Sequence, residues 1–408
     1  MPPGPFTEEC PMKLATRTTR ITPSPTLQLS ATVKALVAQG QRVFDFTAGE
    51  PSFDSPDVAK NAAYEAIRSG FTKYTAVTGI DDLKDAIIEK FQRDQGLTYS
   101  RAQILVSCGA KHTLFNLALA LFEAGDEVII PTPYWVSYPE QILVADAKPV
   151  FLPTSESSGY AIDLNALEST LTNRTKAIIL NSPCNPTGSM YDRQTLERIA
   201  TVALQHNILI ISDEIYEKMI YDQHQHHSIA SVGPDMSRNT IIVNGVSKTY
   251  SMTGWRIGYA AGPDSLIKAM GDIQSQSTSN ATSIAQKAAV GALRGGDAFI
   301  QHMVKELDIR RKAIVGGLNR ISGIHCPMPS GAFYAFPNIS RLLGRRFKGQ
   351  PLATPFALAN YFLKEANVAC VPGEPFGSPT HLRFSYTGTM EVIEEGLQHL
   401  AEAVARLE

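Results

Sequence analysis

The run Ile208-Leu209-Ile210-Ile211-Ser212-Asp213-Glu214-Ile215-Tyr216 decides how the chain is organised. Its first four residues are apolar without alternation. A strand with one wet face would alternate apolar and polar positions, so an unbroken run predicts a strand covered on both faces. Polar residues then arrive abruptly at its carboxyl end. The same grammar recurs in Ala177-Ile178-Ile179-Leu180, which leads into Asn181-Ser182-Pro183-Cys184-Asn185-Pro186-Thr187-Gly188. It recurs again in Thr240-Ile241-Ile242-Val243, which leads into Asn244-Gly245-Val246-Ser247-Lys248. Glu127-Val128-Ile129-Ile130 is a fourth such run. Helical spacing over 58–69, 81–94 and 112–122 separates the early segments. Alternating helices and short buried strands predict a doubly wound α/β core with a mostly parallel sheet flanked by helices.

That core is expected over 57–296 as a large domain, with 21–56 and 297–408 forming a smaller α+β domain. In the latter, a long charged helix leads to Phe333-Tyr334-Ala335-Phe336, Val368-Ala369-Cys370-Val371 and Leu382-Arg383-Phe384-Ser385-Tyr386, then a last helix from Met390. A length of 408 residues suits two domains better than one core. The first twenty residues are rich in Pro and Thr and lack apolar periodicity, which predicts a flexible arm over 1–20. Lys13, Arg17 and Arg20 would suit a transit peptide, but Glu8 and Glu9 count against one.

A net charge of −2 offers no field for nucleic acid, and no apolar stretch is long enough to span a membrane. The five cysteines lack C-x-x-C spacing and read as reduced thiols, pointing to a cytoplasmic protein with no metal site. His224, His226 and His227 lie in a polar stretch without metal-ligand spacing and are expected to be solvated. Cys184 reads as a small filler inside its turn.

Ligands of open α/β sheets bind beyond the carboxyl ends of the strands. Singly, Asn-Pro, Thr-Gly and a helix-capping Asp are turn chemistry. Three such ends in register, one of them bearing Lys248, point further. The Lys248 amine can hold an aldehyde cofactor as an imine if burial or neighbouring positive charge lowers its pKa. Asp213 can keep a pyridine nitrogen protonated, which makes the ring an electron sink. Tyr216 and Asn185 can donate to the ring's 3-oxygen. Gly109-Ala110-Lys111 at a helix start offers backbone N–H groups for a phosphate, with Arg256 to complete the seat. Trp135 offers a face for the ring to stack on. The planar fork of Arg383 suits a carboxylate.

The segments SPCNPTG (182–188), SDEIYE (212–217) and SKTYSMTGWRIG (247–258), with AGEPSFD (48–54) and LRFSY (382–386), resemble class I aminotransferases of pyridoxal-phosphate fold type I. The resemblance is nearest to the bacterial aspartate aminotransferase branch. It implies a homodimer with shared active sites, pyridoxal 5'-phosphate as cofactor, and transfer of the amino group of L-aspartate to 2-oxoglutarate by a ping-pong mechanism. By position, Lys248 resembles the Schiff-base lysine and Asp213 the pyridinium partner. Tyr216 and Asn185 resemble the 3-oxygen donors, and Arg256, Ser247 and the Gly109-Ala110-Lys111 turn resemble the cofactor seat. Trp135 resembles the stacking residue, Arg383 the α-carboxylate clamp, and Gly49 a residue whose backbone meets substrate. Tyr74 resembles a tyrosine that reaches the phosphate of the other subunit.

Animal and enteric members carry a serine where this chain has Gly245, and their distal-carboxylate arginine has no counterpart here. The bacterial branch uses instead a lysine matching Lys111 and hydroxyls placed about where Ser24 and Thr26 lie. Other acceptors remain open on the same motifs: aspartate- or glutamate-prephenate, alanine, aromatic and kynurenine aminotransferases. A ligand-sensing domain of a transcription regulator would need a DNA-binding module, and no helix-turn-helix pattern precedes the core.

Overall fold

A computed structural model describes residues 14–23 and 25–408, apart from the side chain of Leu27. The chain opens with helix α1 (Pro25–Ala38) and a short strand β1 (Phe44–Asp45), followed by helices α2 (Asp57–Arg68) and α3 (Asp81–Gln95). Next come β2 (Ile104–Ser107), α4 (Ala110–Leu121), β3 (Glu127–Thr132), α5 (Ser137–Val144) and β4 (Lys148–Pro153). Strands β5 (Thr175–Asn181), β6 (Leu209–Asp213), β7 (Thr240–Gly245) and β8 (Gly258–Ala261) complete the central sheet.

The seven strands lie in the order β2-β8-β7-β6-β5-β3-β4. Strand β8 runs antiparallel to both neighbours, and the other pairings are parallel. The unalternating apolar runs do lie buried on both faces: Ile178, Ile210 and Ile242 pack to one side and Ile179, Ile211 and Ile241 to the other. Strand β4 sits at the edge and is largely exposed.

Helix α3 shows how the flanking layer forms. Asp81 and Asp82 occupy its first turn, where the helix dipole favours negative charge, and Gly96 ends it in a left-handed conformation. Leu83, Ile87 and Phe91, four residues apart, form its buried stripe.

The two ends of the chain meet. β1 pairs in parallel with Val368–Ala369, and Phe44 and Phe46 share a core with residues of the helices Asp297–Asn319, Pro355–Ala366 and Met390–Ala405. Strand β9 (Tyr334–Ala335) pairs with Leu382–Ser385, which in turn pairs with Val371–Pro372. Of the N-terminal arm, 1–13 fall outside the described residues. Thr16–Thr19 forms a turn of 3-10 helix, and Arg20 pairs with Asp146 at 2.5 Å. No described helix is long and apolar enough to cross a membrane.

Candidate active site

Strand register brings the polar ends together. Asn181 lies beside Asp213, and Asp213 beside Val243, five residues before Lys248. Beyond these ends opens a cavity of about 540 Å³, lined by Lys248, Asp213, Tyr216, Asn185, Ser247, Arg256, Ala110, Lys111, Trp135, Arg383, Gly49 and Thr26. Twelve of the residues singled out from sequence are thus in one place. Gly109 stands directly behind them against Arg256. Tyr74 is the exception, 91% exposed and outside this cavity. Ser24 falls outside the described residues.

Lys248 donates to the Gly49 carbonyl at 2.5 Å. Its side chain reaches the cavity, and the residue is half-buried. Burial lowers its amine to about 8, with Arg256 and Arg383 adding to the effect and Glu50 and Asp213 opposing it. Burial also raises the Asp213 carboxyl to about 6, against the pull of the Tyr138 hydroxyl, the Ile215 N–H and Lys248. Tyr138 donates to Asp213 Oδ2 at 2.6 Å, and the Ile215 N–H reaches Oδ1 at 3.2 Å. Burial, reinforced by Tyr334, raises the Tyr216 hydroxyl well above its ordinary value, so it keeps its proton and shares a 2.9 Å hydrogen bond with the Tyr334 hydroxyl.

Arg256 adopts a left-handed backbone conformation (φ +56°), which folds its guanidinium back beneath the β2–α4 turn. There it donates to the carbonyls of Thr253 at 2.8 Å and Cys108 at 3.2 Å. Gly109, with φ +91°, makes this possible because a side chain there would collide with the guanidinium. Gly258 contributes likewise: a Cβ on it would overlap the backbone of Gly109 and Ala110. The result is a helix N-terminus beside a fixed guanidinium, an anion seat.

Arg383 is wholly buried across the cavity. It donates to Asn185 Oδ1 at 3.0 Å and to the Thr47 carbonyl at 3.2 Å, and lies over Tyr334 at 4.5 Å and Phe376 at 4.9 Å. Its Nε has no partner. A buried donor without an acceptor costs stability, and an arriving anion would satisfy it. Lys111 Nζ stands 5.0 Å from the Trp135 ring, its amine lowered by burial and by Arg256.

Among the lining residues, Tyr138, Tyr334 and Lys34 had no sequence signal that set them apart. Asn181 stood at a strand end, but its task is structural. It donates to the Asp213 carbonyl and accepts from the Asn185 N–H. One expectation is corrected. The side chain of His226 is only 7% exposed rather than solvated, because its Nε2 meets the buried Glu214 carboxylate at 3.1 Å. His224 is exposed as expected. Burial raises the Cys184 thiol, which suits an inert filler.

A desolvated amine, a buried carboxylate, an anion seat and a second, buried guanidinium therefore face one another. Such a set can hold a phosphorylated aldehyde and a carboxylate together.

Residues 41–400 match the family described as aminotransferase class I and II. An aspartate aminotransferase of Geobacillus stearothermophilus is 46% identical over 95% of this chain and 98% of its own. An aspartate/prephenate aminotransferase of Nitrosomonas europaea is 44% identical over 97% of this chain and all of its own. Among solved structures, the aspartate aminotransferase of Rhizobium meliloti superposes with a TM-score of 0.94 at 42% identity, over 97% of this chain and 100% of that one. The aspartate aminotransferase of Thermus thermophilus with maleate gives 0.91 at 38% identity, over 96% and 100%. The chain belongs to the class I and II aminotransferases.

Proposed function

We propose that the protein is a pyridoxal-phosphate-dependent aspartate aminotransferase that passes the amino group of L-aspartate to 2-oxoglutarate in two half-reactions at one site. The observation that carries this is the enclosure of the Lys248 amine, lowered to about 8, in one cavity with the Asp213 carboxylate and the Arg256 seat. The bound cofactor would supply an aldehyde for that amine and a ring that delocalises negative charge from the amino acid's α-carbon.

The residues present fit that group. Arg256, Ser247 and the N–H groups of Gly109, Ala110 and Lys111 would hold the phosphate. Asp213 would keep the ring nitrogen protonated, and Tyr216 and Asn185 would donate to the 3-oxygen. Trp135 covers the ring. Arg383 receives the substrate α-carboxylate near the Gly49 backbone. With its amine free, Lys248 Nζ would take the α-proton as general base and hold it for return as general acid. A pKa of about 8 suits it to both tasks near neutral pH.

Lys111, in the cavity beside Trp135, supports an acidic substrate, with Thr26 as a hydroxyl partner; Ser24, the other hydroxyl expected for this task, lies outside the described residues. The relative solved with maleate, a dicarboxylate, agrees with this. The aspartate/prephenate relatives favour a second reading in which prephenate is also an acceptor. We place the large domain at 57–296 and the small one at 21–56 and 297–408, in a cytoplasmic homodimer in which exposed Tyr74 serves the site of a second copy.

Rates with aspartate and 2-oxoglutarate, with prephenate, and with aromatic amino acids test the substrate. Lys248→Ala tests the mechanism. It is expected to retain pyridoxal phosphate and lose transamination by several orders of magnitude. Near-normal turnover by that variant, without added amine, ends this reading.

A further inference from the structure

Residues 213–217 turn two faces to two environments. Asp213 and Tyr216 face the cavity, whereas Glu214 and Glu217 point behind it into a buried polar cluster. Lys90 of α3 stands in that cluster, 2% exposed, with Nζ at 2.5 and 2.6 Å from the two oxygens of Glu217. Gln95, one turn on, donates to both Glu214 and Glu217 at 2.9 Å. Glu217 also accepts from Asn244 Nδ2 at 2.8 Å, and Asn244 Oδ1 accepts the Gly245 N–H at 2.7 Å. Gly245 lies three residues before Lys248. A continuous chain of contacts thus runs from α3 to both strand ends that carry Asp213 and Lys248.

Charge does not explain the cluster by itself. Replacing a buried ion pair with apolar side chains of similar volume is often neutral or stabilising, so a retained pair calls for a geometric reason. The donor atoms of Glu214, Glu217 and His226 lie within 4.8 Å of one another, but the Lys90 ammonium already supplies the cation. The other charged groups are Asp94, 3.8 Å from Lys90 and paired with Lys218 and Arg93, and His226 on Glu214. Burial works to raise the Glu214 carboxyl, but His226, Ser228 and Lys90 outweigh it and bring it down to about 2. None of these groups lines the cavity.

We propose that Lys90 is a positioning residue, whose ammonium clamps Glu217 and, through Asn244, holds the Lys248 strand end against the Asp213 turn. This rests on the aminotransferase reading for the identity of the reaction, but not for the clamp itself. Lys90→Met frees the Glu217 carboxylate and loosens Asn244. Both effects raise the Lys248 amine, the first by adding uncompensated negative charge and the second by admitting water. The groups that face Lys248 directly (Glu50, Asp213, Arg256 and Arg383) are unchanged.

The test measures two quantities on full-length protein. In the cofactor-loaded enzyme, Lys90→Met is expected to lower kcat at least about tenfold with KM for the amino donor little changed, because misplaced reacting groups cost rate more than binding. In the cofactor-free protein, the pH midpoint of Lys248 acylation, followed by mass spectrometry, is expected to rise by about half a pH unit or more. Lys90→Arg should restore both in large part. Folded Lys90→Met with the parental kcat and labelling midpoint overturns the proposal. If that variant does not fold, Asn244→Ala, which unpairs no charge, decides by the same two readouts. A parent that transaminates no amino acid would refute the functional reading alone, since the labelling arm still judges the clamp.

Discussion

The Tyr138 hydroxyl donates to Asp213 Oδ2 at 2.6 Å from a fully buried position on α5. It opposes the burial that lifts this carboxyl to about 6, so it keeps Asp213 ionised at a pH where burial alone would neutralise it. Only the ionised form attracts a protonated ring nitrogen.

Tyr138→Phe therefore has a signed consequence. Loss of a hydrogen bond to the charged form raises the Asp213 pKa further, by about one unit for a charge-assisted bond. Pyridoxal-phosphate affinity is expected to weaken below about pH 6 in the parent and to begin weakening about one unit higher in the variant. Cofactor titrations between pH 5 and 8 check this. Coincident pH profiles would mean that Tyr138 does not govern the carboxyl.

What was legible in the sequence follows from how local each signal is. Asp213, Lys248 and Asn185 follow apolar runs that reveal a strand's end without any knowledge of its neighbours. Parallel register then aligns those ends. Tyr138 and Tyr334 were not legible, because a buried tyrosine in an apolar stretch looks like core until its hydroxyl's partner is known. His226 was misjudged for the same reason. Its loop is polar in composition, and only the fold brings the Glu214 carboxylate to it. Strand β4, at the sheet edge, carries only the short apolar run Val150-Phe151-Leu152 between two prolines.

The anion seat makes a steric prediction. Gly109→Ala would place a methyl group against the Arg256 guanidinium and force a left-handed conformation on an alanine. At φ +91° and ψ +156°, a region adopted almost only by glycine, the backbone strain alone is about 1–3 kcal/mol. Displacement of Arg256 is expected to weaken phosphate binding by about tenfold or more, since 1.4 kcal/mol corresponds to tenfold in affinity. Equilibrium titration with pyridoxal phosphate reads the loss, and far-UV circular dichroism should show the fold intact. A variant that binds the cofactor as tightly as the parent would show that Arg256 does not depend on this turn.

Lys248 should be a liability to the cofactor-free protein. Its folded pKa of about 8 lies below the ordinary 10.5. A depressed pKa means that the stability present above pH 10.5 is lost as pH falls through 8, so the full penalty is felt at pH 7. Lys248→Met keeps the length of the side chain and removes the charge. It is expected to stabilise the cofactor-free chain at pH 7 by about 2 kcal/mol, given about 1.4 kcal/mol per pKa unit and partial relief from solvent in the cavity. For a chain of this size that is a rise in Tm of about 2–3 °C. The gain should shrink steadily from pH 8 to 10.5, where the unfolded lysine also loses its proton. Thermal unfolding at three pH values reads both size and sign. A gain independent of pH would trace the effect to packing, and no gain would mean that the amine is well solvated.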